Sequence, residues 1–365
     1  MPDYGSPQYS NLKYCVRCCM PETAEGMDFD EMGICRACQS QEQKMHIDWV
    51  EREKALRKIL NYHKERSGDN YDCIVPISGG KDSCFQLHVI ARIYGMKPLA
   101  VTFNHNWFSE TGKYNLTNIL EKLNIDHIMF TPNRSLINRI AKRSLNKIGD
   151  SCWHCHNGVE TFPLQVAVMY KIPLLVYGES AAEGVSGKAT YYDPPPFDME
   201  YFQKMSIKAK VEEMVNEEIS FKDLKPFQIP SLGEIEKVGM VRIFLGDYIF
   251  WDAERQVELI KRLYDWREDE VEATYKKYKS VECVMDGVHN FSKFVKRGFG
   301  RATDHASIDV RAGLLTREDG FEIAKKYDPK RPETLGHYLK ITGMNEEEFL
   351  RICKSHRKGK AKELE

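Results

Sequence analysis

The sequence predicts an α/β fold in which helices cover both faces of a parallel β-sheet. Short, continuously apolar segments alternate with segments of helical periodicity along the middle of the 365-residue chain, and such strands are typical of sheets buried on both faces. A cysteine-rich segment precedes this region and a polar, helical region follows it. Because one hydrophobic core rarely serves a chain of this length, we expect three parts, at residues 1–45, 46–265 and 266–365.

Predicted strands and helices follow one another along the middle part. The strands cover residues 73–77, 99–103, 127–130, 173–177 and 241–245. The helices cover residues 46–63, 83–94, 114–123, 136–148 and 164–170, and another begins after Asp252, a residue type that caps helices. We expect the proline-rich segment at residues 193–198 to form an extended surface loop or a lid. The charged tail from Lys354 is expected to fray.

The composition is that of a globular protein and lacks the excess of positive charge that favours general nucleic-acid binding. Apolar residues make up 42% and charged residues 29%, and the formal net charge is −1. The first residues lack the basic and apolar segments of a signal peptide, and no apolar run approaches the ~20 residues that span a bilayer. We therefore expect a cytoplasmic protein, without membrane insertion or nucleic-acid binding, in which the eleven cysteines stay reduced.

A glycine-rich loop between the first predicted strand and its helix indicates a phosphate-binding site. Residues 78–83 read Ser-Gly-Gly-Lys-Asp-Ser, and adjacent glycines let the backbone N–H groups approach an anion closely. Lys81 adds a positive charge, and Asp82 is a ligand type for Mg²⁺. The loop is not a Walker A motif, since that motif needs glycine where Val75 stands. The alternative is a glycine-rich turn without a ligand.

Four cysteines near the N-terminus have the spacing of a structural zinc site. Cys15 and Cys18 form one Cys-x-x-Cys pair, and Cys35 and Cys38 form another sixteen residues later. A segment this short buries little apolar surface, so the metal would supply its folding energy. Reduced, unpaired thiols are the alternative. The adjacent Cys19 is interpreted as a bystander, with replacement of Cys18 as a ligand as the alternative.

A third pair, in Cys152-Trp153-His154-Cys155-His156, is placed by the pattern in a loop after the third strand, at the mouth of the phosphate site. Three roles stay open for Cys152 and Cys155. They line the substrate pocket or support its structure, they bind a metal or cluster, or they perform redox or sulfur chemistry.

The loop at residues 78–83 resembles the SGGxDS signature of the PP-loop ATP pyrophosphatases, which have an adenine nucleotide alpha hydrolase-like fold. Within this superfamily the chain resembles the N-acetyl sugar amidotransferases, of the WbpG and PseA type, that act in bacterial surface-glycan synthesis. The resemblance covers nearly the whole chain. The motifs that carry it are Tyr14-Cys15-Val16-Arg17-Cys18, Ile47-Asp48-Trp49, the segment from Asp72 to Ser83, Val101-Thr102-Phe103, Cys152-Trp153-His154-Cys155-His156, Tyr177-Gly178-Glu179, His289-Asn290-Phe291-Ser292-Lys293 and Gly298-Phe299-Gly300-Arg301-Ala302-Thr303-Asp304.

This resemblance implies an enzyme that converts an acetamido group of a sugar into an acetamidino group, for O-antigen, lipopolysaccharide or flagellin glycans. ATP adenylates the acetamido oxygen, ammonia attacks the adenylated imidate, and AMP leaves. The implied cofactors are ATP, Mg²⁺ and Zn²⁺, and the implied catalytic residues are Lys81 and Asp82. The implied ATP contacts are Ser78, Gly79, Gly80, Lys81, Asp82, Ser83, Thr102, Phe103, Gly178 and Glu179.

The source of ammonia is expected to be a partner protein. The sequence offers neither an N-terminal cysteine nucleophile nor a Gly-x-Cys-x-Gly elbow, the two arrangements with which glutaminases attack glutamine. The family is thought to work with subunits similar to the glutaminase and the cyclase of the histidine pathway. Substrate contacts are expected from Cys152 and Cys155. The cations that would meet the diphosphate of a nucleotide-linked sugar are Lys293, Arg297, Arg301 and His305.

Two other functions stay open at this level. A tRNA sulfur transferase also combines a zinc ribbon, a PP-loop and a Cys-x-x-Cys pair, with a third cysteine that holds an iron–sulfur cluster. Cys283 would have to be that third ligand, although the sequence places it far downstream in a helical stretch. The second alternative is a zinc-ribbon adaptor that only binds a nucleotide, which would leave Lys81 and Asp82 without a purpose.

Overall fold

The computed structural model describes residues 6–183, 189–192 and 209–365, so the proline-rich segment at 193–198 lies outside the described residues. Five strands form one sheet in the order β3-β2-β1-β4-β5, and all the pairings are parallel. The strands are β1 (Cys73–Pro76), β2 (Pro98–Phe103), β3 (His127–Phe130), β4 (Leu174–Tyr177) and β5 (Val241–Phe244). The parallel α/β sheet is thus confirmed.

The α-helices, numbered along the described residues, are α1 (Arg36–Met45), α2 (Trp49–Arg66), α3 (Lys81–His88), α4 (Glu110–Leu123), α5 (Arg134–Ile148), α6 (Trp153–Tyr170), α7 (Leu232–Val238), α8 (Ala253–Tyr264), α9 (Asp286–Arg297), α10 (Arg301–Arg311), α11 (Arg317–Tyr327), α12 (Leu335–Thr342) and α13 (Glu346–Ser355). A π-helical turn, Val89–Ile93, extends α3. In the described part of the chain, no helix is long and apolar enough to cross a membrane.

The sheet is buried on both faces. Ile74 and Leu175 belong to a core that includes residues of α5 and α6. Their neighbours Val75 and Leu174 belong to a second core with residues of α2, α3, α4 and α8. Because successive strand residues point to opposite faces, both faces must be apolar. This explains why the strands read as continuous apolar runs rather than as alternating ones.

Several helices begin at a residue that the sequence marks as a cap. Asp48 accepts the N–H groups of Val50 and Glu51 at 3.1 and 3.0 Å. Asp252 accepts the N–H of Arg255 at 3.2 Å and starts α8 as predicted. Each bond satisfies a backbone donor that the first turn of the helix leaves unpaired.

Some predictions of secondary structure were wrong. Residues 36–45 form α1, although no helix was predicted before residue 46. Helix α6 begins at Trp153 instead of residue 164 and includes Pro163, so Cys155 and His156 lie on a helix and not in a loop. The tail beyond Lys354 does not fray, because Ala361 and Leu364 are buried against Leu12.

Candidate active site

The candidate active site lies where the order of the strands in the sheet reverses. The chain runs from β1 to β2 and β3 and then returns to β4 on the other side of β1. In open parallel sheets ligands bind at this switch point, beyond the carboxyl ends of the strands. The loop at residues 78–83 follows β1, and Gly178 and Glu179 follow β4. A cavity of 670 Å³ opens between them.

The loop at residues 78–83 has the shape of an anion cradle. Helix α3 begins directly after Gly80, and no side chain of the described residues caps it, so its first N–H groups remain for a ligand. Gly79 has a φ of 81°, and a Cβ there would lie 2.6 Å from the carbonyl oxygen of Gly112. The Ser83 hydroxyl accepts the Ser78 N–H at 3.2 Å and donates to the Gly80 carbonyl at 3.0 Å.

Four charged side chains interact beside the loop, namely Lys81, Lys279, Asp82 and Glu179. Lys81 is buried and paired with Asp82. Burial alone would raise the pKa of the Asp82 carboxyl, but Lys81 and Lys279 outweigh it and lower that pKa. Burial, together with the charge of Lys81, lowers the pKa of Lys279 to about 8. The Glu179 carboxylate acts against this repulsion on both lysines, and a bound phosphate group would do so further.

Glu282 faces the loop from the opposite wall. A Cβ on Gly80 would lie 3.0 Å from either carboxylate oxygen of Glu282. Burial and the nearby carboxylates of Asp286 and Asp82 raise the pKa of Glu282 to about 7. A carboxyl group with this pKa accepts or releases a proton near neutral pH, which is the property of a general acid or base.

Lys279 and Glu282 were not predicted from the sequence, because no motif marks them. They lie in an irregular segment before α9, which the structure fixes along the connection after β2. Ser109 donates its N–H to the Glu282 carbonyl at 3.0 Å, and Phe108 forms an isolated bridge with Cys283. This long-range pairing brings the segment over the phosphate loop.

Most of the residues that the resemblance implies for ATP binding do line the cavity. They are Ser78, Gly80, Lys81, Asp82, Ser83, Phe103, Gly178 and Glu179. Thr102 lies behind the wall, where its hydroxyl donates to the Ile77 carbonyl at 2.6 Å. Gly79 provides the left-handed turn of the loop, and its carbonyl accepts the indole N–H of Trp266 at 2.9 Å.

The four candidate substrate cations divide into two pairs. Arg301 and His305 line the cavity. Arg301 pairs with Asp286 at 2.7 Å, and burial lowers the pKa of His305 well below its usual value. Lys293 and Arg297 are not among the residues that line the cavity in the described part of the chain. Lys293 pairs with Asp304, and Arg297 pairs with Glu25 at 3.0 Å.

Three cysteines line the same cavity, namely Cys152, Cys155 and Cys283. The prediction that Cys283 lies in a helical stretch was wrong, because it lies in the turn before α9. Burial raises the pKa of all three thiols, that of Cys155 to about 12. Without a metal these thiols are therefore protonated at neutral pH, and protonated thiols are weak nucleophiles.

The four N-terminal cysteines come together as the spacing predicts. All four are buried, and their sulfur atoms lie within 4.8 Å of one another. The Cys35 N–H donates to the Cys15 sulfur at 3.3 Å, a bond that favours a thiolate. Gly33 turns the chain before Cys35 with a φ of 79°. This donor set fits a tetrahedral zinc ion.

Comparison with known proteins adds distant relatives. The chain is 20% identical over 325 residues to the uncharacterized protein MJ1599 of Methanocaldococcus jannaschii, which covers 88% of this chain and 96% of the relative. It is 24% identical over 221 residues to MJ1016 of the same organism, which covers 59% of this chain and 70% of the relative. Both names leave the activity of those proteins open.

Two solved structures are also similar. NMN synthetase from Francisella tularensis has 14% identity and a TM-score of 0.31, and the match covers 53% of this chain and 93% of that protein. The U34-tRNA thiolase NcsA from Methanococcus maripaludis, with its [4Fe-4S] cluster, has 14% identity and a TM-score of 0.29, with 85% and 88% covered.

The C-terminal region matches a family model. Residues 272–362 match the model for the C-terminal domain of WbpG-like LPS biosynthesis proteins. This stretch contains Lys279, Glu282, Arg301 and His305, which line the cavity opposite the phosphate loop. The match confirms the predicted resemblance to WbpG-type proteins for residues 272–362.

Proposed function

We propose that this chain is an ATP-dependent amidotransferase that forms AMP and acts on an N-acetyl sugar. It converts the acetamido group of a nucleotide-linked sugar into an acetamidino group, for O-antigen, lipopolysaccharide or flagellin glycans. The coarser statement, that the chain is a PP-loop enzyme of the ATP-using kind, follows from the loop, the sheet and the WbpG-like C-terminal domain. The specific reaction and substrate are inferred from the way in which these parts meet at the cavity.

One observation supports the proposal most. The WbpG-like region at residues 272–362 is not an appendage, because it supplies one wall of the cavity that the phosphate loop opens into. A domain specific to one family is expected to recognise what is specific to that family, which is the substrate. The ATP would therefore lie against the sheet, and the sugar would lie against α9 and α10.

The first step is attack of the acetamido oxygen on the α-phosphorus of ATP. The N–H groups of the loop and the ammonium group of Lys81 bind the β- and γ-phosphates, so that pyrophosphate leaves with its charge already neutralised. Asp82 and Glu179 are the carboxylates on this wall that would hold Mg²⁺. When bound, that ion offsets further charge on the leaving pyrophosphate.

In the second step ammonia adds to the imidate carbon and AMP leaves. The nitrogen gains a positive charge as the bond forms and must lose a proton before the amidine is complete. Glu282 is the proposed acceptor, since its pKa of about 7 lets it take up that proton at neutral pH. Arg301 and His305 on the same wall are proposed to orient the sugar.

The test is a direct assay for the product. The chain is incubated with ATP, Mg²⁺, ammonium and a set of UDP- and CMP-linked N-acetyl sugars, and the mixture is analysed by mass spectrometry. We expect AMP, pyrophosphate and a sugar about one mass unit lighter, because C=O becomes C=NH. ADP as the nucleotide product, or AMP without a modified sugar across the set, would count against the proposal.

A tRNA sulfur transferase is the second candidate, and one observation favours it. Cys283 lines the same cavity as Cys152 and Cys155, so a third thiol is available for a cluster. Among the described residues these three thiols do not form a group tight enough for a single ion; an iron–sulfur cluster, which is larger, is the form that they would hold. Brown protein after anaerobic purification, together with thiolated tRNA, would establish this candidate instead.

A further inference from the structure

We infer that Asp150, His156 and His289 form a second metal site, for a divalent transition-metal ion such as Zn²⁺, Mn²⁺ or Fe²⁺. The ligand atoms of the three residues all lie within 4.8 Å of one another. The site is separate from the four-cysteine ribbon, and its two histidines line the active-site cavity. The inference does not depend on which reaction the cavity performs.

The three side chains come from two parts of the chain. Asp150 lies in the connection between α5 and α6, His156 lies in the first turn of α6, and His289 lies in α9. The Asp150 carboxylate is fixed, because its Oδ1 accepts the Cys152 N–H at 2.8 Å. A ligand held in this way needs little reorganisation when an ion binds.

The distances between the ligand atoms are compatible with coordination of one ion. His156 Nδ1 lies 3.1 Å from Asp150 Oδ2, and His289 Nδ1 lies 3.9 Å from Asp150 Oδ1. The second distance is too long for a hydrogen bond. Ligands bound about 2.1 Å from one ion lie roughly 3.0–3.4 Å from each other, so the first distance already fits. The second needs a movement of roughly 0.5 Å, which a side-chain rotation supplies.

The two imidazole rings approach each other nearly at right angles. Their planes make 87° and their centroids lie 5.2 Å apart. This arrangement lets both rings aim a nitrogen at one point beside the carboxylate without stacking. Two imidazoles and one carboxylate are the donor set of transition-metal sites, whereas Mg²⁺ prefers oxygen ligands alone.

The site is open on the side of the cavity. The side chain of Asp150 is 6% exposed, but those of His156 and His289 are 34% and 25% exposed. With three protein ligands on one side, the remaining positions of the ion face the cavity. Metal sites with three protein ligands and an open position are typical of catalysis, while structural zinc sites are closed by four. The ligand expected there is water or an oxygen atom of the substrate.

Metal analysis of the full-length chain tests this inference. The zinc-loaded protein is incubated with Zn²⁺, Mn²⁺, Fe²⁺ or Co²⁺, one at a time, and excess metal is removed. We expect two metals per chain in the wild type with at least one of these ions. We expect one metal in His156→Ala and in His289→Ala. His337→Ala is the matched control, because His337 is exposed on α12; it should keep two.

Cobalt spectroscopy locates the second ion and does not rely on a variant that folds. Cobalt bound by one carboxylate and two imidazoles gives only weak visible bands, whereas cobalt bound by thiolates gives intense charge-transfer bands in the near ultraviolet. In the zinc-loaded protein the four-cysteine site is already filled, so we expect bound Co²⁺ to give the weak bands alone. Intense thiolate bands would place the cobalt on the cavity cysteines and overturn the inference. So would one metal per chain with all four ions, or a second metal retained in both histidine variants.

Discussion

Lys81 and Lys279 reach the same anion site from distant parts of the chain. Lys81 belongs to the phosphate loop and Lys279 to the irregular segment before α9. Each affects the protonation of the other, and the pKa of Lys279 falls to about 8. Two lysines this close repel each other, and the carboxylates of Asp82 and Glu179 offset that repulsion. A polyphosphate bound there would add further negative charge beside the two lysines.

The first prediction concerns the phosphate loop. Lys81→Ala and Asp82→Ala should each reduce AMP formation by about 100-fold or more, because both residues act where charge develops on the leaving pyrophosphate. Nucleotide products are measured by chromatography, and folding is checked by circular dichroism. Lys113→Ala serves as the control, since Lys113 is an exposed lysine paired with Glu110. Near-normal AMP formation by either loop variant would refute the assignment of this loop.

The second prediction concerns the proton on Glu282. Its pKa is raised from 4.5 to about 7 in the folded chain, so the folded state binds this proton more tightly than the unfolded state. That contribution to stability is complete below pH 4.5 and is lost as the pH rises through 7. Glu282→Gln should therefore be more stable than the wild type at pH 8, by roughly 1–2 kcal/mol. The difference should nearly vanish at pH 5.

Thermal unfolding at pH 5 and pH 8 measures this difference. The same variant should lose the rise of amidination rate with pH near 7, because glutamine cannot accept a proton. A variant with unchanged stability at both pH values would mean that the Glu282 carboxyl is ionised throughout this range.

At the scale of elements, the zinc ribbon is held by the C-terminal helices. Arg317 of α11 donates to the carbonyl groups of Cys15 and Cys18 at 2.9 and 3.1 Å. Tyr14 packs edge-on against Phe321 of the same helix. The four-cysteine segment is thus packed against a helix of the region that forms one wall of the cavity.

The third prediction is that Cys35→Ser loses the ribbon metal. Without that ion the segment buries too little apolar surface to stay folded, so the melting temperature should fall by on the order of 10 °C. Cys19→Ser is the matched control, because Cys19 is buried beside Gly320 and outside the four-cysteine group. Its metal content, measured by mass spectrometry, should match the wild type. Full zinc content in Cys35→Ser would contradict the four-thiolate assignment.

Whether an element could be predicted from the sequence depended on which interactions stabilise it. The strands were predicted closely, because residues buried on both faces leave a continuous apolar run in the sequence. The first half of α6 was missed. Residues 153–163 include His, Gly, Thr and Pro, which are weak helix formers, and they are helical because Trp153 and Phe162 pack in the core. Such stability comes from contacts that local sequence does not encode.

Site residues that belong to one contiguous motif could be predicted from the sequence, whereas those placed by long-range contacts could not. The loop at residues 78–83 was found because one contiguous motif performs its function. Lys279, Glu282 and Cys283 reach the cavity only because their segment pairs with residues that follow β2. A contact between residues so far apart in sequence leaves no local spacing to recognise. Lys293 and Arg297 were expected at the site from their charge, but charge alone does not show which way a helix faces.

At the scale of the whole molecule, the cavity is enclosed by parts that are distant in sequence. The phosphate loop provides one wall, α6 a second, and the WbpG-like region at residues 272–362 a third. In the proposed reaction, the activated imidate would react readily with water, and walls on three sides would limit the access of water until ammonia arrives. The source of the ammonia is therefore tested with the whole protein and its proposed partner.

The last prediction is that the purified chain uses ammonium but not glutamine. Hydrolysis of the glutamine amide needs an activated nucleophile, and the three cavity cysteines have pKa values raised by burial. A partner glutaminase should restore the use of glutamine. With glutamine labelled by nitrogen-15 in its side chain, and unlabelled ammonium in solution, the label should enter the sugar only when the partner is present. Mass spectrometry of the product measures the incorporation, and Lys81→Ala with the partner is the control for adenylation. Use of glutamine by the chain alone would refute the partner, whereas thiolated tRNA in place of an amidinated sugar would refute the amidotransferase itself.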